Sequence, residues 1–127
     1  LLTNFQLDDQ NLLSLVLIGQ PDLLTRLRRK TYLPLRQRIG LFYHLSPLSA
    51  EDSIQYIEHR LRLSGRTDTL FTEEALELIC KFSGGVPRNI NNIASNSLME
   101  GFGNAAQLID KDIIADIAHE LGMNGVK

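Results

Sequence analysis

Arg88 lies within a short run, Ser83 to Asn92 (Ser-Gly-Gly-Val-Pro-Arg-Asn-Ile-Asn-Asn), whose residue types suit the binding of an anion. Gly84 and Gly85 can take positive φ and end a helix, and Pro87 fits the first turn of the next one. Arg88 is thereby placed in a first turn, where the helix dipole disfavours a cation by roughly 0.3 to 1 kcal/mol. A guanidinium beside a positive helix end is explained if both face a shared anion, and phosphate is the usual one. The plainer reading is a solvated arginine after a loop. A second group of cations, Arg26, Arg28, Arg29, Lys30, Arg36 and Arg38, falls within one thirteen-residue segment. Such a cluster reads as a surface for a nucleotide or a nucleic acid, although Arg26 to Lys30 read more simply as a solvated basic helix face.

The net charge of -2 conceals this asymmetry: residues 1–47 carry six basic and three acidic side chains, residues 48–127 seven and twelve. At 127 residues and 43% hydrophobic content, the chain is about one domain of an ordinary globular protein. No apolar run approaches the roughly 18 residues of a membrane span, and the start Leu1-Leu2-Thr3-Asn4 lacks the pattern of an export signal. The expectation is a chain that does not itself insert in a membrane. Cys80 is the single cysteine, which excludes an internal disulfide; among Leu76, Ile79 and Phe82 it reads as a small buried hydrophobe. His44, His59 and His119 are scattered, so no zinc site is expected.

Two elements have to position the early cations. Leu12 to Ile18 is an almost unbroken apolar run stopped by Gly19-Gln20-Pro21-Asp22, the pattern of a strand buried on both faces of a parallel sheet. Asp22 to Lys30 reads as a short helix with Leu23, Leu24 and Leu27 inward, and Pro34 interrupts the segment after it. Gly40 to Leu45, rich in aromatic residues and closed by Pro47, is a second strand candidate. Together these predict a right-handed β-α-β unit. Two strands cannot cover a strand that is apolar on both sides, so the chain is expected to be a fragment of a larger α/β domain or to be completed by another chain.

From Ser49 onward the pattern is helical. Ser49 caps a helix with Ile54, Ile57 and Leu61 on one face, and Thr72 caps another with Leu76, Ile79 and Phe82 inward. Pro87 opens a third helix bearing Ile90, Ile93, Ala94, Ser97 and Leu98, and Asp110 caps a fourth bearing Ile113, Ile114, Ile117, Ala118 and Leu121. Ile109 and Ile114 are spaced for a hydrophobic staple across that last cap. The reading is a four-helix bundle on a separate lobe, joined near Leu45 to Leu48.

This order of parts resembles the second half of an AAA+ ATPase module, in wording most similar to the general secretion pathway protein A type and related pilus-biogenesis ATPases. The likeness rests on Leu-Val-Leu-Ile-Gly-Gln-Pro-Asp-Leu (15–23), Leu-Arg-Gln-Arg-Ile (35–39), Tyr-Ile-Glu-His-Arg-Leu (56–61), Leu-Phe-Thr-Glu-Glu-Ala-Leu (70–76) and Gly-Gly-Val-Pro-Arg-Asn-Ile-Asn-Asn (84–92). The resemblance implies an α/β fragment, two parallel strands of a P-loop-type sheet, followed by an all-α four-helix lid. Residues 1–47 would be the C-terminal portion of the αβα core and 48–127 the lid. It makes Gln20 the sensor 1 residue at a strand tip, Arg38 the arginine finger and Arg88 sensor 2, with Arg36 as the other candidate for the finger. An arginine fork suits the charge that builds up in phosphoryl transfer better than a lysine does.

Neither a Gly-x-x-x-x-Gly-Lys-Ser/Thr phosphate loop nor an apolar strand ending in Asp-Glu occurs in the sequence. The chain alone is therefore expected to be inactive, with ATP and Mg2+ belonging to a full-length protein from which it is cut; a degenerate subunit is the alternative. Identical subunits in a ring and a membrane-bound secretion or pilus assembly protein are the partners the resemblance implies, at the cytoplasmic face of the inner membrane. A DNA-associated relative of the replication or transposition type and a plain helical interaction module are the competing readings. The acidic second half weighs against nucleic acid.

Overall fold

The structure, a computed structural model, describes residues 6, 7, 10, 11 and 15–123. It divides into two compact units, Leu1–His44 and Leu45–Lys127.

In the first unit the expected pair of parallel strands is not formed, which overturns the α/β fragment leading into a lid as the fold of this chain. Residues 15–18 and 40–45 have no regular structure, and Leu12, Leu13 and Ser14 of the first expected strand lie outside the described residues. Strand pairing in the described part of this unit is a two-residue antiparallel hairpin of β1 (Gln6–Leu7) and β2 (Gln10–Asn11), with Gln6 opposite Asn11 and Leu7 opposite Gln10. The physical reason is that an extended segment needs neighbours for its backbone N–H and C=O groups, and an apolar strand needs cover on both faces. Neither is supplied among the described residues, and Val16, Ile18, Leu41 and Tyr43 stand 76%, 87%, 81% and 81% exposed. Hydrophobicity alone does not make a strand.

What does form here is helical and short. Helix α1 (Asp22–Leu27) follows Pro21, which cannot donate to a ladder, and Asp22 in its first turn suits the helix dipole. Leu27 is its buried residue; Leu23 is half-buried and Leu24 exposed. The helix stops before the expected Lys30, giving way to a 3-10 turn at Lys30–Tyr32 and then α2 (Leu33–Arg36). Pro34 lies in the first turn of α2, where a missing N–H costs nothing.

The described part of the second unit contains four helices, α3 (Ala50–Leu63), α4 (Glu73–Ser83), α5 (Pro87–Gly103) and α6 (Lys111–Glu120). Each start has a local cause. Ser49 Oγ accepts the Asp52 N–H at 3.0 Å, Thr72 Oγ1 accepts that of Ala75 at 3.2 Å, and Asp110 Oδ1 accepts those of Asp112 and Ile113, both at 3.1 Å. Pro87 opens α5 without a side-chain cap. The core is made of Ile57 from α3, Ala75 and Ile79 from α4, Ile90 and Ile93 from α5, and Ile114 and Ile117 from α6, closed by Phe71 and Ile109. These last two form a single parallel bridge: Ile109 donates to Leu70 O at 2.8 Å and Thr72 donates to Ile109 O at 3.0 Å. The starts of α4 and α6 are thus tied together by backbone hydrogen bonds as well as by apolar packing. Leu121, expected inward, is exposed at the end of α6.

Candidate functional site

Arg88 is the second residue of α5, exposed, in a first turn that holds no acidic side chain and no side-chain cap. Among the described residues no carboxylate forms an ion pair with it; the arginine of this unit that has an acidic partner is Arg66, 4.0 Å from Asp68. A guanidinium and uncapped backbone N–H groups therefore share one helix end, an arrangement that can take an anion.

The turn that presents Arg88 is held from several sides. Gly84 is left-handed (φ 59°) and closes α4 by donating to Cys80 O at 3.2 Å. Gly85 is buried with φ +71° and accepts the Leu48 N–H at 2.8 Å; a Cβ there would collide with the Leu48 carbonyl oxygen. Both positions need glycine for their backbone conformation, and Gly85 needs it for space as well. Ser83 Oγ, fully buried, accepts the Gly85 N–H at 3.3 Å and donates to Cys80 O at 3.2 Å. Asn89 Nδ2 donates to Ser83 O at 3.2 Å, and Asn91 Nδ2 donates to the Tyr56 hydroxyl at 3.0 Å, joining α5 to α3.

Gln20 and Arg38 belong to the first unit. Gln20 does not cap a strand; it is exposed, ends an irregular segment, and its carbonyl accepts the Leu23 N–H at 2.9 Å as α1 begins. Arg36 ends α2, and Arg38 follows it, exposed, with its N–H donated to Leu35 O at 3.0 Å. Arg26 is engaged with Asp22 at 3.5 Å, an exposed pair of the kind that contributes little.

Cys80 is half-buried between α3 and α4, its Sγ 3.5 Å from Ala50 O. Burial pushes its thiol up, against a smaller lowering by the Ser53 hydroxyl. Among the described residues no group of three or more His, Cys, Asp or Glu side chains could hold a metal ion, and no helix is long and apolar enough to cross a membrane. Cavities on the second unit include one lined by Ile57, Leu61, Arg62, Arg66, Leu70 and Phe71 and another by Glu100, Asn104, Asp116, His119 and Glu120. The residues around Arg88 that sequence reasoning missed are Leu48 and Tyr56, because their partners Gly85 and Asn91 are brought to them only by the fold, and Asn89, whose bond to Ser83 is local.

Comparison with known proteins bears out the resemblance read from the motifs. General secretion pathway protein A of Aeromonas hydrophila is 40% identical over 121 residues, 95% of this chain. The chain is a relative of the general secretion pathway protein A type. An uncharacterized HTH-type transcriptional regulator of Methanocaldococcus jannaschii is 30% identical over 110 residues, 84% of the chain. The chain spans only 22% and 27% of the lengths of these two relatives. No protein-family model matches the sequence, and no solved structure does.

Proposed function

We propose that this chain is a segment of an AAA+ ATPase that couples ATP hydrolysis to the assembly of a secretion machine. The observation that carries the reading is the 40% identity to General secretion pathway protein A along almost the whole chain. The uncapped, arginine-bearing start of α5 supports it independently. In this reading Arg88 contacts the nucleotide phosphates as sensor 2, and Arg38, or Arg36 beside it, supplies the arginine finger to a neighbouring subunit. Gln20 takes the sensor 1 role from the start of α1 rather than from a strand tip. ATP and Mg2+ are bound by the full-length protein, whose partners are identical subunits and a membrane-bound secretion protein at the cytoplasmic face of the inner membrane.

The test is turnover in the full-length protein. Arg38→Ala should lower ATPase activity roughly a thousandfold or more while leaving ATP affinity nearly intact, because a finger acts on charge developed during phosphoryl transfer. Retained turnover in both Arg38→Ala and Arg36→Ala would remove the finger from this segment. A second reading, association with DNA, has the name of the archaeal relative in its favour. Against it stand the twelve acidic side chains of residues 48–127, which repel a phosphate backbone.

A further inference from the structure

The isolated bridge between Phe71 and Ile109 occupies one edge of residues 69–71 and leaves the other edge open. Leu70 O and the Thr72 N–H point toward Ile109 and are bonded to it. Successive residues of an extended segment turn their N–H and C=O groups to opposite sides, so those of Thr69 and Phe71 point away from the bridge. Among the described residues these groups have no hydrogen-bond partner. Phe71 is only 2% exposed, and main-chain groups at that depth are as a rule paired. We propose that this open edge docks an extended peptide of a partner protein, which pairs with Thr69 and Phe71, places one apolar side chain in the adjoining cavity and sets a carboxylate on Arg62.

The cavity has the size and lining for such an anchor. Thr69, Leu70 and Phe71 wall it on the side of the open edge, and Ile57, Leu61 and Leu76 supply apolar surface from α3 and α4. Its volume of about 220 Å3 falls below the roughly 300 Å3 at which sites for drug-sized ligands begin, and suits a single aliphatic or aromatic side chain. Charge selects what flanks the anchor. Residues 48–127 carry twelve acidic side chains against seven basic, yet three of the seven, Arg60, Arg62 and Arg66, fall at the end of α3 and in the turn after it. Arg62 and Arg66 line the cavity beside Glu58 and Asp68. Arg66 is engaged with Asp68 at 4.0 Å, whereas Arg62 forms no ion pair among the described residues. An acidic side chain next to the apolar anchor therefore meets a guanidinium with its donors to spare. Main-chain pairing supplies affinity and the cavity and arginine supply selectivity, the division of labour found in strand addition. None of these residues belongs to the nucleotide site proposed around Arg88, so the two stand or fall separately.

The test uses the 127-residue chain and a displayed library of random heptapeptides, from which binders are synthesised singly. Binders should share an apolar residue with Asp or Glu close beside it. Their binding should slow amide hydrogen exchange at Thr69 and Phe71 about tenfold or more, with much less change at Leu70, whose N–H points to the bridge. Arg62→Ser, at an exposed position, should keep the unfolding midpoint and weaken binding about tenfold. Replacing the peptide's carboxylate by its amide should weaken binding equally, and should add nothing to Arg62→Ser. A library without binders, binders that leave exchange at Thr69 and Phe71 unchanged, or full-strength binding to Arg62→Ser would overturn the proposal. Slowed exchange at those amides that grows with chain concentration and needs no peptide would assign the edge to a second copy of this chain, and would overturn it equally.

Discussion

Ser97 Oγ, buried in the middle of α5, has no hydrogen-bond partner among the described residues. A hydroxyl taken out of water without a partner costs about 1 to 3 kcal/mol. Ser97→Ala should therefore leave stability unchanged or raise it by about 1 kcal/mol, read as a higher urea midpoint at constant slope. Ser53 is the control: equally buried, its Oγ donates to Ser49 O at 2.7 Å, and Ser53→Ala should lower the midpoint. A midpoint that falls as far for Ser97 as for Ser53 would mean that the hydroxyl is bonded after all. Periodicity places Ser97 on the core face, but whether its oxygen is satisfied depends on atoms from other elements. Arg88 divides in the same way. Its first-turn position follows from Gly84, Gly85 and Pro87 alone, whereas the hold exerted by Leu48 and Tyr56 arises only once distant segments meet.

Helix starts are the features most fully written in local sequence, since a capping side chain acts on N–H groups two or three residues away. Ser49, Thr72 and Asp110 each do so. Asp110 has a wider role than the others because the segment before it is also the bridge to α4, through Ile109 and Phe71. Asp110→Ala removes two accepted N–H bonds and a carboxylate at the positive end of α6, and should cost about 1 to 2 kcal/mol. Asp110→Asn keeps an acceptor and should recover most of the loss, with the remainder reporting the charge. Equal losses in the two variants, measured by urea unfolding, would assign the stabilisation to charge alone. Strands are the opposite case. The apolar runs at 12–18 and 40–45 resemble strands in composition, but a strand is defined by its neighbours, and no local signal states whether they are present. A sheet cannot be inferred from the composition of single segments.

At the scale of the molecule the two units differ in how they are held together. The apolar core of the helical unit, from Ile57 to Ile117, lies wholly within Leu45–Lys127, whereas Leu27 is the buried apolar side chain of the described part of Leu1–His44. Burial is the principal stabilising term, so nearly all of it is confined to one unit. Residues 45–127 expressed alone should then unfold in one cooperative transition, with a midpoint within a few degrees of that of the whole chain. The irregular apolar runs make a second, opposite expectation for the rest. With Val16, Ile18, Leu41 and Tyr43 largely exposed, the whole chain should bind a hydrophobic dye and associate at high concentration, and the shorter piece should do neither. A large drop in midpoint on removing residues 1–44 would show that the helical unit draws stability from them. Dye binding undiminished by the same deletion would instead locate the exposed apolar surface at Met99 and Phe102 on α5, which are 73% and 90% exposed.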